Sequence, residues 1–139
     1  MFETVVVGAD GSETAAEAVR QAVELVKLTG GRLHIVSAYT PHSLKTGSGE
    51  FARSLGSDSV ARSLLDDLGS QAAVAGVQVD THAIAGSPAD AICQVASDVS
   101  ADLIVVGNKG MSGARRILGS VPNSVAHQAP CSVLIADTV

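Results

Sequence analysis

The amino-acid sequence predicts an α/β protein built on a doubly wound parallel sheet of five strands. Two observations lead to this fold class. Short apolar runs rich in Val and Ile alternate with segments in which apolar residues recur at helical spacing, as in repeated strand–helix units. The 139 residues are 46% hydrophobic and only 17% charged, which is typical of a globular domain, so we expect residues 1–139 to form a single domain.

The first half of the chain contains two predicted strands and two predicted helices. Residues 4–10, "TVVVGAD", are a β-branched run suited to a strand buried on both faces, and 32–39, "RLHIVSAY", predict the second strand. The helix between them ends at Gly30. Residues 40–56 combine proline and glycines with weak periodicity, which predicts a long mobile connection with at most a short helical turn. The apolar positions are Ala15, Ala18, Val19, Ala22, Val23 and Val26 in helix one, and Val60, Leu64, Leu65, Leu68 and Ala72 in helix two.

The second half contains three strands and two helices. Residues 77–84 predict the third strand, and the helix after it has Ser87 in the N-cap position. Residues 102–107 predict the fourth strand. A last helix runs from about 120 to 128, and the fifth strand follows over 131–137.

Composition and charge narrow the class of partners. The net charge is −5 and only three residues are aromatic, which argues against a protein that binds nucleic acid. No stretch approaches the ~20 apolar residues of a membrane span, and the first residues contain no basic leader. Cys93 and Cys131 are too far apart in sequence to form a metal-ligand pair. We therefore expect no membrane association, no bound metal and a cytoplasmic location.

Residues 107–120, "GNKGMSGARRILGS", place four glycines and three cations between a predicted strand and a predicted helix. Glycine allows close approach to the backbone, and a helix that starts at Ser120 and Val121 presents free N–H groups. The first strand also ends in a turn-forming stretch, "GADGS" at 8–12. Ligands of open α/β sheets bind beyond the carboxyl ends of the strands, where the strand order reverses. If strands one and four are neighbours, the two loops line one crevice suited to a small anionic ligand.

Three stretches of the chain carry a family resemblance: "VVVGADGS" near the start, "GNKG…GS" after strand four and "PCSVLI" near the end. Together they resemble the universal stress protein family, and the resemblance covers the whole chain. Nucleotide-binding members of that family carry a glycine, two residues, a glycine, nine residues, and then a glycine with Ser or Thr. Gly107 and Gly110 match the first part of this pattern, and Gly119 and Ser120 follow after eight residues.

The resemblance implies a Rossmann-like, adenine nucleotide hydrolase-like fold with strand order 3-2-1-4-5, which places strands one and four side by side. It also implies an adenine nucleotide site, with Asp10 and Val36 in contact with the adenosine part. Taken singly, these two residues have simpler roles, since Asp10 can accept from backbone donors at the start of helix one and Val36 can belong to the core. The remaining residues of the implied site are Ala9, Val106, Gly107, Lys109, Gly110, Gly119, Ser120 and Val121.

The ligand that the resemblance implies is ATP, with or without Mg²⁺, and cyclic AMP or AMP are alternatives. A nucleotide-free dimeric scaffold is the competing hypothesis. The sequence contains no Walker A motif and no Gly-x-Ser-x-Gly elbow, and its four histidines lack metal-ligand spacing. We therefore expect a regulatory, stress-response module that binds nucleotide and is not an enzyme. The family also implies a homodimer through strand 131–137, a predicted edge strand without charge over 131–136.

Overall fold

The computed structural model describes residues 1–41, 47–108 and 118–138, and of residues 47–57 the backbone alone. Strands and helices alternate along these residues, which confirms the α/β class. The elements are β1 Thr4–Gly8, α1 Glu13–Thr29, β2 Arg32–Tyr39, α2 Gly47–Val74, β3 Gln78–Ala85, α3 Pro88–Asp98, β4 Leu103–Gly107, α4 Ser120–Gln128 and β5 Ser132–Ala136.

The five strands form one parallel sheet in the order β3-β2-β1-β4-β5, so the order implied by the family resemblance is confirmed. β1 lies between β2 and β4, with Val6 opposite both His34 and Ile104. The chain moves outward from β1 to β3 and then returns to the other side of β1, so the strand order reverses between β1 and β4. The ends of these two strands, at Gly8 and Gly107, are therefore neighbours, as the predicted crevice requires.

Helices cover both faces of the sheet, and the buried residues form two apolar clusters. Along β1, Val5 and Val7 belong to the cluster with α1 and α2, whereas Val6 belongs to the cluster with α3 and α4. All three valines are fully buried, which explains why β1 is a continuous apolar run in the sequence. The helices contribute Ala18, Val19, Ala22, Val26, Leu65, Leu68 and Ala72 to the first cluster, and Ile92, Val95, Ala96 and Val125 to the second.

The start of α2 differs from the prediction. Residues 40–56 were predicted as a connection with at most a short helical turn, but α2 begins at Gly47, so the backbone of 47–56 is helical. Once a helix is nucleated, each further residue adds a hydrogen bond at little cost. A helix held by its buried residues can therefore extend into a segment whose own periodicity is weak.

One position on the buried face of α2 also differs from the prediction. Val60 was expected to face the core, but it is 69% exposed, and Ala61 is buried at 5% exposure instead. Adjacent helical residues point about 100° apart, so Ala61 and Val60 cannot both face the core. The predicted residues Leu65, Leu68 and Ala72 are buried, and Leu64 packs against the same cluster. Neither this helix nor any other in the described part of the chain has the length and apolar character needed to cross a bilayer.

Candidate functional site

A cleft of about 410 Å³ opens at the carboxyl ends of β1 and β4. Its walls come from β1, β2, β4 and the starts of α1, α3 and α4, so it lies where the strand order reverses. Lys109 and Gly110 lie outside the described residues. The cleft brings together all the other predicted site residues, namely Ala9, Asp10, Val36, Val106, Gly107, Gly119, Ser120 and Val121.

The inner wall of the cleft is apolar. Val36 and Ala38 are two positions apart on β2 and both face the cleft, and Val106 lies near the end of β4. Ile92 of α3 completes this wall. It fits there because Gly8 has no side chain: a Cβ at Gly8 would lie 2.5 Å from Ile92 Cδ1. A wall of this kind suits a flat apolar ring. The polar groups of the cleft can then orient the remaining part of a ligand.

Ala38, Pro88 and Ile92 line the cleft although the sequence analysis did not assign them to a site. Ala38 lies two residues after Val36 on the same strand, so the period of two along β2 was a signal that could have identified it. Pro88 and Ile92 reach the cleft only because α3 packs across the sheet, and no local pattern in the sequence indicates that placement.

The polar groups at the start of α1 hydrogen-bond to one another. The carboxylate of Asp10 accepts hydrogen bonds from the backbone N–H of Ser12, at 2.9 Å, and from the Ser12 hydroxyl. The same hydroxyl caps α1 by accepting from the N–H of Ala15 at 3.2 Å. The simpler role weighed for Asp10, an acceptor for backbone donors at the start of helix one, is therefore observed. Asp10 is also exposed and lines the cleft, so its role as a ligand contact stays a prediction.

Two of the helices that begin at this edge of the sheet are capped in the same way. Ser12 caps α1 through Ala15, and Ser87 caps α3 by accepting from the N–H of Asp90 at 3.4 Å, as the sequence predicted for Ser87. In both helices the donor is the third helical residue, the position that an N-cap side chain commonly satisfies. In each of these two helices, one backbone N–H of the first turn is therefore already bonded to a serine side chain of the protein.

The start of α4 is different. Its third helical residue is Pro122, which has no N–H, and its N-cap is Gly119, which has no side chain. No side chain among the described residues caps this helix. The N–H groups of Ser120 and Val121 belong to the first turn, where backbone donors have no acceptor within the helix. The positive end of the α4 dipole and these donors therefore adjoin the apolar cleft, an arrangement that favours an anion.

Gly107, at the end of β4, lines the cleft and also lies close to the chain that follows β5. Its role in letting an anion approach the backbone stays a prediction. In the structure, a Cβ at this position would lie 3.2 Å from Thr138 Oγ1 and 3.5 Å from the carbonyl oxygen of Thr14. The glycine therefore makes room for the chain that follows β5. Asn108 is 5% exposed and hydrogen-bonds to the same Thr138, a contact that the sequence analysis missed.

Two histidines pair on neighbouring strands, outside the residues that line the cleft. Nδ1 of His34 lies 3.0 Å from Nε2 of His82, although the two residues are 48 positions apart in sequence. Burial and, secondly, the neighbouring His82 lower the pKa of His34 below its usual range. Within the described ranges, no group of three or more His, Cys, Asp or Glu side chains is arranged to hold a metal ion.

The two cysteines differ in burial. Cys93 on α3 is buried, whereas Cys131 is only half-buried just before β5. Burial raises the thiol pKa of both residues. Neither cysteine lines the cleft, so neither thiol adds reactive chemistry to it.

Comparison with known proteins identifies the family. The model of the universal stress protein family matches residues 1–137. The chain belongs to this family. A universal stress protein of Mycobacterium tuberculosis is 36% identical to it over 143 aligned residues, which cover 99% of this chain and 97% of that protein.

Solved structures agree with this assignment. A universal stress protein crystallised in complex with cAMP superposes with a TM-score of 0.78 at 34% identity, covering 99% of this chain and 98% of the other. The universal stress protein of Lactobacillus plantarum superposes with a TM-score of 0.81 at 21% identity, covering 96% and 97%, and shares the fold. The family recognised from three sequence stretches is therefore confirmed.

Proposed function

We propose that this universal stress protein binds an adenine nucleotide in the cleft between β1 and β4, with ATP as the ligand, with or without Mg²⁺. The observation that carries the proposal is the start of α4. Gly119 and Pro122 leave it without a side-chain cap from the described residues, directly beside an apolar wall. The protein would act as a regulatory, stress-response module whose state depends on the bound nucleotide.

The two halves of the cleft fit the two halves of a nucleotide. The wall formed by Val36, Ala38 and Ile92 would bury the adenine ring, and Asp10 would accept from the adenosine part. The N–H groups of Ser120 and Val121 would donate to phosphate. Micromolar binding requires about −8 kcal/mol, so ring burial and phosphate contacts must both contribute.

Cyclic AMP is the second candidate ligand, and one observation favours it. The structural relative at 34% identity was solved with cAMP, which presents the same adenine, ribose and phosphate groups. AMP presents them as well. Lys109 would distinguish ATP from AMP and cAMP if it contacts the outer phosphates, because ATP would then gain an interaction that the other two ligands do not make.

The proposed role is binding without strong catalysis. The side chains that line the described part of the cleft include Asp10, Ser12, Thr14 and Ser120 but no histidine, lysine or cysteine. A helix start can hold phosphates without orienting an attacking water. We expect ATP turnover far below enzyme-like rates of about 1–10³ per second.

We also propose a cytoplasmic homodimer that pairs through β5 and does not bind nucleic acid, consistent with the net charge of −5. β5 is an edge strand, and Leu134 and Ile135 on its opposite faces are 43% and 38% exposed. Light scattering at micromolar concentration should give about twice 14.0 kDa. Leu134→Lys should shift the mass toward the monomer, and a wild-type monomer at every concentration would remove the dimer proposal.

Calorimetric titration tests the proposed ligand. The wild-type protein is titrated with ATP, ADP, AMP and cAMP, each with and without Mg²⁺, and GTP serves as the matched control for base recognition. We expect saturable binding of adenine nucleotides and weaker binding of GTP. A folded protein that takes up none of these ligands would instead support the nucleotide-free scaffold.

A further inference from the structure

The chain that follows β5 folds back over the end of β4. Strand pairing stops at Gly107 and Ala136, and the next residues are held by side chains instead of the sheet. Nδ2 of Asn108 donates to the carboxylate of Asp137 at 3.2 Å. Oδ1 of Asn108 accepts from the N–H of Thr138 at 2.9 Å and from its hydroxyl at 2.8 Å. We call Asp137 and Thr138 the C-terminal tail.

The C-terminal tail is also attached to α1. Nε2 of Gln21 donates to the carbonyl oxygen of Asp137 at 3.0 Å. Thr138 occupies the space left by the missing side chain of Gly107, beside the carbonyl oxygen of Thr14. The tail therefore joins the end of β4 to the first half of α1, two elements that both contribute to the cleft.

Asn108 connects the C-terminal tail to the end of β4 directly beside the cleft. The residue before it, Gly107, lines the cleft, and the two residues after it, Lys109 and Gly110, are predicted phosphate ligands. Its side chain is buried and uses both ends of its amide on the C-terminal tail. A buried amide with its hydrogen bonds made holds one orientation, because any other would leave polar groups unpaired.

We propose that Asn108 and the C-terminal tail are positioning elements of the nucleotide site, an inference that rests on the proposed function. They fix the end of β4, and so hold the backbone of Gly107 in place relative to the donors of α4. Asn108 touches no phosphate in this proposal, because its amide groups are engaged by Asp137 and Thr138. It acts through the backbone.

The test compares Asn108→Ala with a control at the opposite end of the same strand. Asp102, just before β4, accepts hydrogen bonds from the N–H groups of Glu3 and Thr4 at 3.2 and 3.1 Å. Asp102→Ala therefore also removes a side-chain connection next to β4, but away from the cleft. Thr138→Val is a milder second variant, which keeps the shape and the backbone N–H of Thr138 and removes only its hydroxyl. It keeps the test available if Asn108→Ala does not fold.

Each variant is titrated with ATP and with adenosine, and its thermal unfolding is recorded. We expect Asn108→Ala to weaken ATP binding by about tenfold or more and adenosine binding by much less. Thr138→Val should move the ratio of the two affinities in the same direction by a smaller factor. Asp102→Ala should lower the melting temperature while the ratio stays at the wild-type value.

The outcomes separate the inference from the proposed function. If the wild type binds ATP and Asn108→Ala binds ATP and adenosine in the wild-type ratio, the positioning role is overturned and the proposed function stands. If Asp102→Ala changes the ratio as much as Asn108→Ala does, the effect is general destabilisation, which also overturns the inference. If the wild type binds no adenine nucleotide, the proposed function fails and this inference fails with it.

Discussion

The helices α1, α3 and α4 all begin at the same edge of the sheet, yet the first turn of α4 is built differently from those of α1 and α3. Ser12 and Ser87 each satisfy the third N–H of their helix with a side chain. In α4 a glycine stands at the cap and Pro122 removes that third N–H altogether. Glycine in place of serine at an N-cap costs only a few tenths of a kcal/mol, so α4 gives up a little of the stability that α1 and α3 gain from their caps.

The difference indicates what each helix start is for. A capped start is complete without a ligand, whereas an uncapped start beside a cleft can exchange water for an anion. Pro122 adds to this contrast, because without a third N–H the helix leaves only the donors of Ser120 and Val121 near the cleft. Variants that convert one kind of start into the other test this difference.

Gly119→Asp should abolish nucleotide binding. The new carboxylate would accept from the first-turn N–H groups and repel phosphate, so the loss of two charge-assisted hydrogen bonds predicts a drop in affinity of roughly 100-fold or more. Stability should not fall, since Asp is a favoured N-cap and a negative charge suits a helix start. Calorimetry and thermal unfolding measure the two quantities. Gly119→Ala is the control for the added Cβ, and equal affinities of the two variants would contradict the account.

The double variant Gly119→Ser with Pro122→Ala would rebuild in α4 the arrangement of α1 and α3. It restores the third N–H and supplies a hydroxyl to cap it, so its melting temperature should exceed that of the matched variant with Gly119→Ala, while its ATP affinity falls by about tenfold. Gly119→Ala with Pro122→Ala supplies the N–H without the cap. The account would be wrong if the serine and alanine versions had the same melting temperature and the same affinity.

Ser87→Ala should lower the free energy of unfolding by about 1 kcal/mol, because it leaves the N–H of Asp90 without its cap. Nucleotide affinity should stay at the wild-type value, since the capped start of α3 offers its donors to its own serine. Denaturant unfolding gives the first quantity and calorimetry the second. Ser97→Ala, at an exposed position of the same helix, is the matched control. A clear loss of affinity in Ser87→Ala would break the distinction between the two kinds of start.

Lowering the pH should reduce the stability of the fold without changing the affinity for nucleotide at the start of α4. The pKa of His34 is lowered in the folded state, so the unfolded chain binds more protons and stability falls as pH drops below about 6.5. Asp80 and Arg32 lie next to this histidine. The effect should be small and should disappear in His34→Gln. Affinity for cAMP, whose phosphodiester does not titrate there, should be constant between pH 7.5 and 6.

Much of the fold was predictable because its signals are local. The buried strands are continuous apolar runs, the Ser87 cap precedes a helix directly, and the strand ends at Gly8 and Gly107 each stand before a glycine-containing stretch of sequence. Family resemblance supplied the strand order. Most residues of the described cleft follow from these facts, since neighbouring parallel strands bring their exit loops together.

The rest depends on contacts between distant parts of the chain. Asn108 and Thr138 are 30 positions apart, and the pair formed by His34 and His82 spans 48, so no local pattern indicates either contact. The proximity of Gly107 to Thr138 was not visible in the sequence either, because Thr138 lies 31 positions further along the chain. The contrast among helix starts was visible in the sequence at Pro122, but only the structure places all three starts around one cleft.

The most direct measurement of the central claim is amide NMR of the wild-type protein during titration with ATP. The account predicts that the N–H resonances of Ser120 and Val121 move with saturation and become protected from hydrogen exchange, while those of Ala15 and Asp90 keep the exchange rates of the free protein. Saturable binding that leaves Ser120 and Val121 unchanged, or that protects all four amides alike, would contradict the claim that the start of α4 is the anion site.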